Sequence, residues 1–236
     1  VTDAARPLPK HPAKFSDPVL DALGRLVNAE QRALARRVLV LDPFAGVGRI
    51  HNLRRPGKVE TLGTEIEAEW AACHSSTLHA DALVWMAQTP PLFDIVATSP
   101  TYGNRMADHH DARDGSRRHS YRHDLGRMPT GGSSSVMAWG PTYWAFHAEA
   151  YRAMYDVLAP GGLLLLNVSD FYRRKAVVPA VEWHRGACMG AGFDQAGRDV
   201  PVITKRLRGV GAEATAARAD HEVILRLRKP PKVVLA

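Results

Sequence analysis

Val38-Leu39-Val40-Leu41-Asp42-Pro43-Phe44-Ala45-Gly46-Val47-Gly48 begins as an apolar run, stops at Asp-Pro and turns through two glycines. A short, fully apolar run of this kind reads as a strand buried on both faces of a parallel sheet. Gly46 and Gly48 allow positive φ and a close approach of the backbone to a ligand. A glycine-rich turn at the carboxyl end of such a strand is where α/β folds bind nucleotides. The same apolar texture returns at residues 59–64, more weakly around Leu78, then at Phe93–Thr98 and at 163–168. Stretches such as 68–75 and 142–158 are long enough for crossover helices. A helical pattern over 19–36 precedes the first strand, with Leu20, Leu23, Leu26 and Val27 on one face. Residues 156–162 read as a helix end, a Pro-Gly turn and the start of a strand. Residues 200–203 and 221–227 read as two closing strands in an antiparallel hairpin. The alternation predicts one α/β domain over residues 1–236, a doubly wound, mostly parallel sheet without internal repeats.

Composition narrows the function classes. The chain has 236 residues, 45% hydrophobic and 23% charged, which excludes wholesale disorder. No apolar run approaches the roughly 18–20 residues needed to cross a bilayer, and no signal-peptide pattern opens the chain. The expectation is a soluble, cytoplasmic protein. Cys73 and Cys188 stand far apart and outside any zinc-type spacing, so neither a disulfide framework nor a structural zinc site is expected. The formal charge is +7, with Lys and Arg totalling 31, most of them Arg. Arg makes bidentate contacts with phosphates and base edges, which raises a polyanionic partner alongside the alternative of mere compositional bias.

Two motifs carry the chemistry. Glu65 closes the second strand about 20 residues after the glycines, the spacing at which an acidic side chain takes ribose hydroxyls. Asp81 follows the third strand, placed to meet a base. Strand, turn and two acids in register point to a nucleoside-type ligand. The second motif, Thr98-Ser99-Pro100-Thr101-Tyr102, ends another apolar strand. It brings a hydroxyl, a rigid carbonyl and an aromatic face together at the sheet's carboxyl edge.

In this order the two motifs resemble those of the S-adenosylmethionine-dependent DNA amino-methyltransferases, which carry a Phe-x-Gly-x-Gly cofactor loop and a later Ser/Asp/Asn-Pro-Pro-Tyr/Phe motif. Residues 11–15 resemble the family's segment before the first strand, 158–170 its fifth-strand region and 222–229 its closing strand. The resemblance implies a Rossmann-like methyltransferase sheet with S-adenosyl-L-methionine as cofactor. Asp42, Phe44, Gly46 and Gly48 would wrap its methionine portion, with Phe15 beside it, Glu65 on the ribose and Asp81 near the adenine. Ser99 and the Pro100 carbonyl would accept hydrogen bonds from the target amine, and Tyr102 would stack on a flipped base. Thr101 departs from the usual second Pro and loses its fixed φ. Ser in the first position points to cytosine N4, with adenine N6 the competitor. Methylation at cytosine carbon-5 is excluded, because neither Cys follows a Pro.

Residues 103–135 show almost no apolar periodicity and read as a flexible basic loop inserted after the catalytic motif. Arg105, Arg113, Arg117, Arg118, Arg122 and Arg127, with four His residues, suit phosphate and groove contacts with DNA. Asp108-His109-His110-Asp111 reads as solvated, not as a metal site. Trp144, Tyr151 and Tyr155 are spaced like the core face of a helix, with Trp139 the exposed aromatic. Arg173-Arg174-Lys175 and Lys205, Arg206 and Arg208 read equally as phosphate contacts or solvated runs. No separate target-recognition domain is evident, so specificity is expected to come from loops or a partner subunit, or to be low. The expected protein partner is a second copy (a homodimer) or a separate specificity subunit. The competing readings are an RNA or protein-amide methyltransferase and a non-catalytic DNA-binding module of the same fold.

Overall fold

A computed structural model describes residues 11, 14–101, 103, 120–173, 176–204 and 221–231. Helix α1 (Asp17–Leu34) starts with Pro18 in its first turn, where a missing N–H costs nothing, and ends at Ala35 in the left-handed region, φ 52°. It therefore runs two residues earlier at each end than its apolar pattern suggests. Strands β1 (Val38–Asp42), β2 (Val59–Glu65), β3 (Thr77–His79), β4 (Phe93–Thr98) and β5 (Leu158–Val168) are parallel and stand in the order β3-β2-β1-β4-β5. The hairpin β6 (Phe171–Arg173) and β7 (Ala176–Val178) follows as a separate two-stranded sheet, absent from the sequence reading. The main sheet closes with β8 (Asp194–Gln195), β9 (Val200–Ile203) and β10 (His221–Arg228). Strand β10 runs antiparallel to β5 and β9, the expected closing hairpin. From β1 the chain winds outward to β3, then returns to β4 on the other side. That reversal opens a crevice at the carboxyl ends of β1 and β4, the usual ligand position in such sheets.

Helices are α2 (Ala68–Ala71), α3 (Ala82–Ala87), α4 (Tyr121–Leu125), α5 (Pro141–Val157) and α6 (Ala180–Gly190). The crossover expected over 68–75 is thus a single turn. Period-two alternation along β5 divides the core. Leu163 and Leu165 face α1 with Val38, Val40 and Ile95, whereas Leu164, Leu166 and Val168 face α5 and α6 with Tyr151, Met154 and Cys188. Among the described residues, no helix is long and apolar enough to cross a membrane.

Two expectations need correction. The Pro160-Gly161 stretch is not a turn before the strand. Leu158 already pairs with Phe93, and β5 absorbs the Pro-Gly kink as a register shift, with Gly161 at φ 80°. Nor is all of 103–135 a loop. Ser120 caps α4 by accepting from the His123 N–H, and Tyr121 is buried against Trp70 and Val47.

Leu165→Ala should test the α1 face of the core. A fully buried leucine truncated there should cost about 2–5 kcal/mol, read as a lower urea midpoint at unchanged m. A midpoint equal to the native one would refute this packing.

Candidate active site

Buried carboxylates shape the carboxyl edge of the sheet. Asp42, at the end of β1, accepts from the Phe44 N–H at 3.1 Å and from the Thr98 hydroxyl at 2.6 Å. It thereby ties the turn after β1 to the end of β4. Burial pushes its pKa up to about 7, against the pull of those two donors. Glu65, at the end of β2, accepts from the Gly46 and Glu67 N–H groups, each at 2.9 Å. Burial raises its pKa to about 7 as well. Glu67 in turn accepts from the Thr130 N–H and hydroxyl at 2.8 and 2.9 Å and from Arg127 at 2.8 Å. Arg127 also grips Glu69 through Nε and Nη2. This clasp holds Gly132, Ser133 and Ser134 over the crevice.

The crevice is a cavity of about 350 Å³, within the range of small-ligand sites. Its wall on the β2–β3 side carries Glu65, Ile66, Asp81 and Leu83. Phe15, Phe44 and Phe146 add aromatic surface. Asp81 caps α3, its Oδ1 accepting from the Leu83 and Val84 N–H groups. The wall on the β4–β5 side carries Ser99, Pro100, Thr101, Asn167 and Glu222. Ser99 donates its hydroxyl to the Asn167 backbone carbonyl at 3.0 Å, and Asn167 Nδ2 donates to Glu222 at 2.5 Å. The Thr101 and Ser134 hydroxyls pair at 2.6 Å. Phe15 is held by Arg49, which donates to its carbonyl at 2.6 Å and pairs with Asp17.

The cavity thus brings together Phe15, Phe44, Glu65, Asp81, Ser99 and Pro100 from positions far apart in the chain. Asp42, Gly46 and Gly48 lie behind it, not on its wall. Gly46, at φ 55°, admits the His11 ring: an added Cβ would stand 2.9 Å from His11 Nε2. Gly48, at φ 77°, leaves room for His51, which is held between the Thr61 and Thr77 hydroxyls at 2.8 and 2.9 Å. Burial lowers the pKa of both histidines to about 4. Tyr102, Arg105, Arg113, Arg117 and Arg118 fall outside the described residues, as do 108–111, Arg174, Lys175, Lys205, Arg206 and Arg208. Arg122 is exposed on α4. Arg127 is committed to Glu67 and Glu69 and is not available for phosphate.

Of the aromatic assignments, Tyr151 and Tyr155 keep their core places, whereas Trp144 and Trp139 change. Tyr143 and Tyr151 are fully buried, Tyr155 is partly buried, and Trp144 is 36% exposed. Trp139 is partly buried among the Tyr143, Trp144, Phe171 and Trp183 rings. Sequence reasoning missed Asn167, Glu222, Ser134 and Phe146. Only the pairing of β10 on β5 brings Glu222 to Asn167, and no local pattern signals it.

No family model matches the chain, and no curated protein matches it in sequence. Solved structures do. The magnesium protoporphyrin IX methyltransferase of Synechocystis PCC 6803, with bound S-adenosylmethionine, superposes with a TM-score of 0.50 at 14% identity, covering 89% of this chain and 77% of that one. The [4+2]-cyclase SpnF gives 0.49 at 14% identity over 94% and 88%. A proposed DNA modification methylase from Thermus thermophilus, complexed with S-adenosyl-L-methionine, gives 0.42 at 20% identity over 66% and 56%. This chain spans only about half the length of that Thermus protein. The likeness to the Synechocystis enzyme establishes the fold: a Rossmann-like methyltransferase sheet.

The Asp42 bracket has a pH signature. Its folded pKa is above its unfolded value, so between about pH 4 and 7 the native state holds a proton that the unfolded chain has lost. Stability from this group is present at low pH and falls as pH rises to 7. Asp42→Asn should remove that slope, so its stability relative to native should improve steadily from pH 4 to 7 in urea titrations. A pH-independent difference would contradict a raised pKa.

Proposed function

We propose that this chain is an S-adenosyl-L-methionine-dependent methyltransferase acting on an exocyclic amine of a DNA base, cytosine N4 in preference to adenine N6. The observation that carries the reading is a single cavity with carboxylates and aromatic rings on one wall and hydrogen-bond acceptors on the other. The first wall fits the cofactor. Glu65 and Asp81 would accept from ribose hydroxyls and the adenine amine, Phe15, Phe44, Ile66 and Leu83 would cover its apolar faces, and Lys14 would meet its carboxylate. When bound, the cofactor supplies an electrophilic methyl group on a sulfonium centre.

The chain's own residues supply position and charge stabilisation. Ser99 spends its proton on the Asn167 carbonyl, so its lone pairs are what it turns to the cavity. The Pro100 carbonyl is a second acceptor. An amine held in the base plane by these two acceptors keeps its nitrogen lone pair out of that plane, free to attack. As the nitrogen gains positive charge, both hydrogen bonds strengthen, which is differential binding of the transition state. The methylated nitrogen then sheds a proton. Hydroxyls and carbonyls do not hold it at neutral pH, and the Glu222 carboxylate, hydrogen-bonded by Asn167 Nδ2, receives it. The cavity admits a base only out of its stack, so the target is a flipped nucleotide. The formal charge of +7 and the arginines of residues 105–122 support a nucleic-acid partner.

Ser99→Ala should slow single-turnover methylation by about a hundred- to thousandfold while leaving cofactor affinity unchanged by calorimetry. Glu222→Gln should slow the same step. Mass spectrometry of DNA, RNA and protein incubated with methyl-labelled cofactor identifies the product. Native-rate turnover by Ser99→Ala, or product on RNA or protein alone, would refute the assignment.

Replacing Arg113, Arg117 and Arg118 by Ser should weaken DNA binding. The slope of log K against log salt should fall by roughly 0.9 for each phosphate that the variant leaves unneutralised. An unchanged slope would locate the DNA path elsewhere.

A further inference from the structure

We infer that Tyr151, His184 and Tyr143 form a one-directional hydrogen-bonded chain that grips the Thr101 carbonyl and so sets, from the protein's interior, the aim of the Ser99-Pro100 acceptors. The inference rests on the reading of those acceptors given above, but the chain itself is a matter of geometry.

The direction follows from proton counting. The Thr101 carbonyl can only accept, and the Tyr143 hydroxyl lies 2.8 Å from it, so Tyr143 spends its single proton there. The same hydroxyl lies 3.2 Å from His184 Nε2, and that contact forms only if Nε2–H donates to the Tyr143 oxygen. A neutral imidazole carries one N–H, so His184 Nδ1 is an acceptor. Tyr151 then donates to it across 2.5 Å. Burial enforces the protonation states: it drives the His184 pKa well below its usual value and that of Tyr151 well above. A neighbour braces the helix: His147 Nδ1–H donates to the Tyr143 backbone carbonyl at 2.9 Å.

The purpose lies in what Thr101 lacks. Pro100 has a ring to fix its φ, and Thr101 has none. The peptide that carries the Pro100 carbonyl is joined to the next one through Thr101, whose φ is free. Tyr143 clamps the second peptide by its oxygen. The Thr101 hydroxyl is tied to Ser134, and the Gly103 carbonyl takes the Trp139 N–H at 2.6 Å. With these points held, the Pro100 carbonyl is left one orientation. Tyr143, His184 and Tyr151 are therefore positioning residues, acting through Thr101.

Tyr151 gives the sharpest test, because it touches neither Thr101 nor the cavity wall. Without its hydroxyl, Nδ1 loses its donor, while Nε2–H keeps its acceptor in Tyr143 and the tautomer is unchanged. The ring loses one of its two anchors, and the donation to Tyr143 that it relays to Thr101 weakens. Long-range nitrogen-15 spectra of the labelled native protein should show neutral His184 as the Nε2–H tautomer. In Tyr151→Phe the tautomer should stay Nε2–H, and the Nδ1 resonance should shift to that of an acceptor without a donor. Tyr143→Phe and Tyr151→Phe should each slow single-turnover methyl transfer by about tenfold, the worth of one hydrogen bond, with cofactor affinity unchanged. A native His184 carrying its proton on Nδ1 would overturn the chain whatever the variants do. A folded Tyr143→Phe variant working at the native rate would overturn its role in positioning. Should the native protein methylate no nucleic acid at all, the functional reading fails, and the imidazole spectra still decide the chain.

Discussion

A carboxylate sealed inside a sheet has to be met by donors or it drives its own proton affinity upward. This protein does both at once. Asp42 ties together the two strand ends on which the cavity depends, bonding the Phe44 N–H in the turn after β1 and the Thr98 hydroxyl at the end of β4. Glu65 repeats the device one strand further, from its own loop back to Gly46, and Glu67 carries it to Arg127 and Thr130. Backbone groups that a turn leaves unpaired are thereby satisfied by acids, and the acids are satisfied by turns. The crevice at the strand reversal keeps its shape because of this exchange.

The cavity divides along the sheet. The β2–β3 side supplies Glu65, Asp81 and apolar faces, and the β4–β5 side supplies the Ser99 hydroxyl and Asn167 together with the Glu222 carboxylate of β10. That division follows from topology: the turn after β1, with Pro43 and Phe44 on the cavity, lies between the two sides, which reach it by different crossovers.

Much of this was legible in the amino-acid order. Four of the five parallel strands show as apolar runs because both faces are largely buried, whereas edge strand β3, with Leu78 and His79 exposed, shows only weakly; the two motifs fall where such runs end. Phe44, Glu65, Asp81, Ser99 and Pro100 could be named because strand ends have a fixed place in this architecture. What escaped was whatever depends on pairing across long separations. Glu222 reaches Asn167 only through the antiparallel register of β10, and Ser134 reaches Thr101 only after the Glu67 clasp has folded its loop back. Positive φ at Gly46 and Gly48 marks a close approach, made within the chain by the His11 and His51 rings, and such a tertiary neighbour has no signal in the glycine spacing itself. Trp144 misled because a helix of mixed aromatics has no sharp apolar stripe, so a shift of one residue put Tyr143 inside in its place.

The cavity wall draws on residues from His11 to Glu222, nearly the whole span of the described chain. A molecule seated there bridges both winding halves and acts as a non-covalent cross-link. By mass action, occupancy at a hundred times the dissociation constant adds about 2.7 kcal/mol to the stability of the entire domain. Cellular supply of that molecule would then govern how long the protein survives proteolysis as well as how fast it turns over.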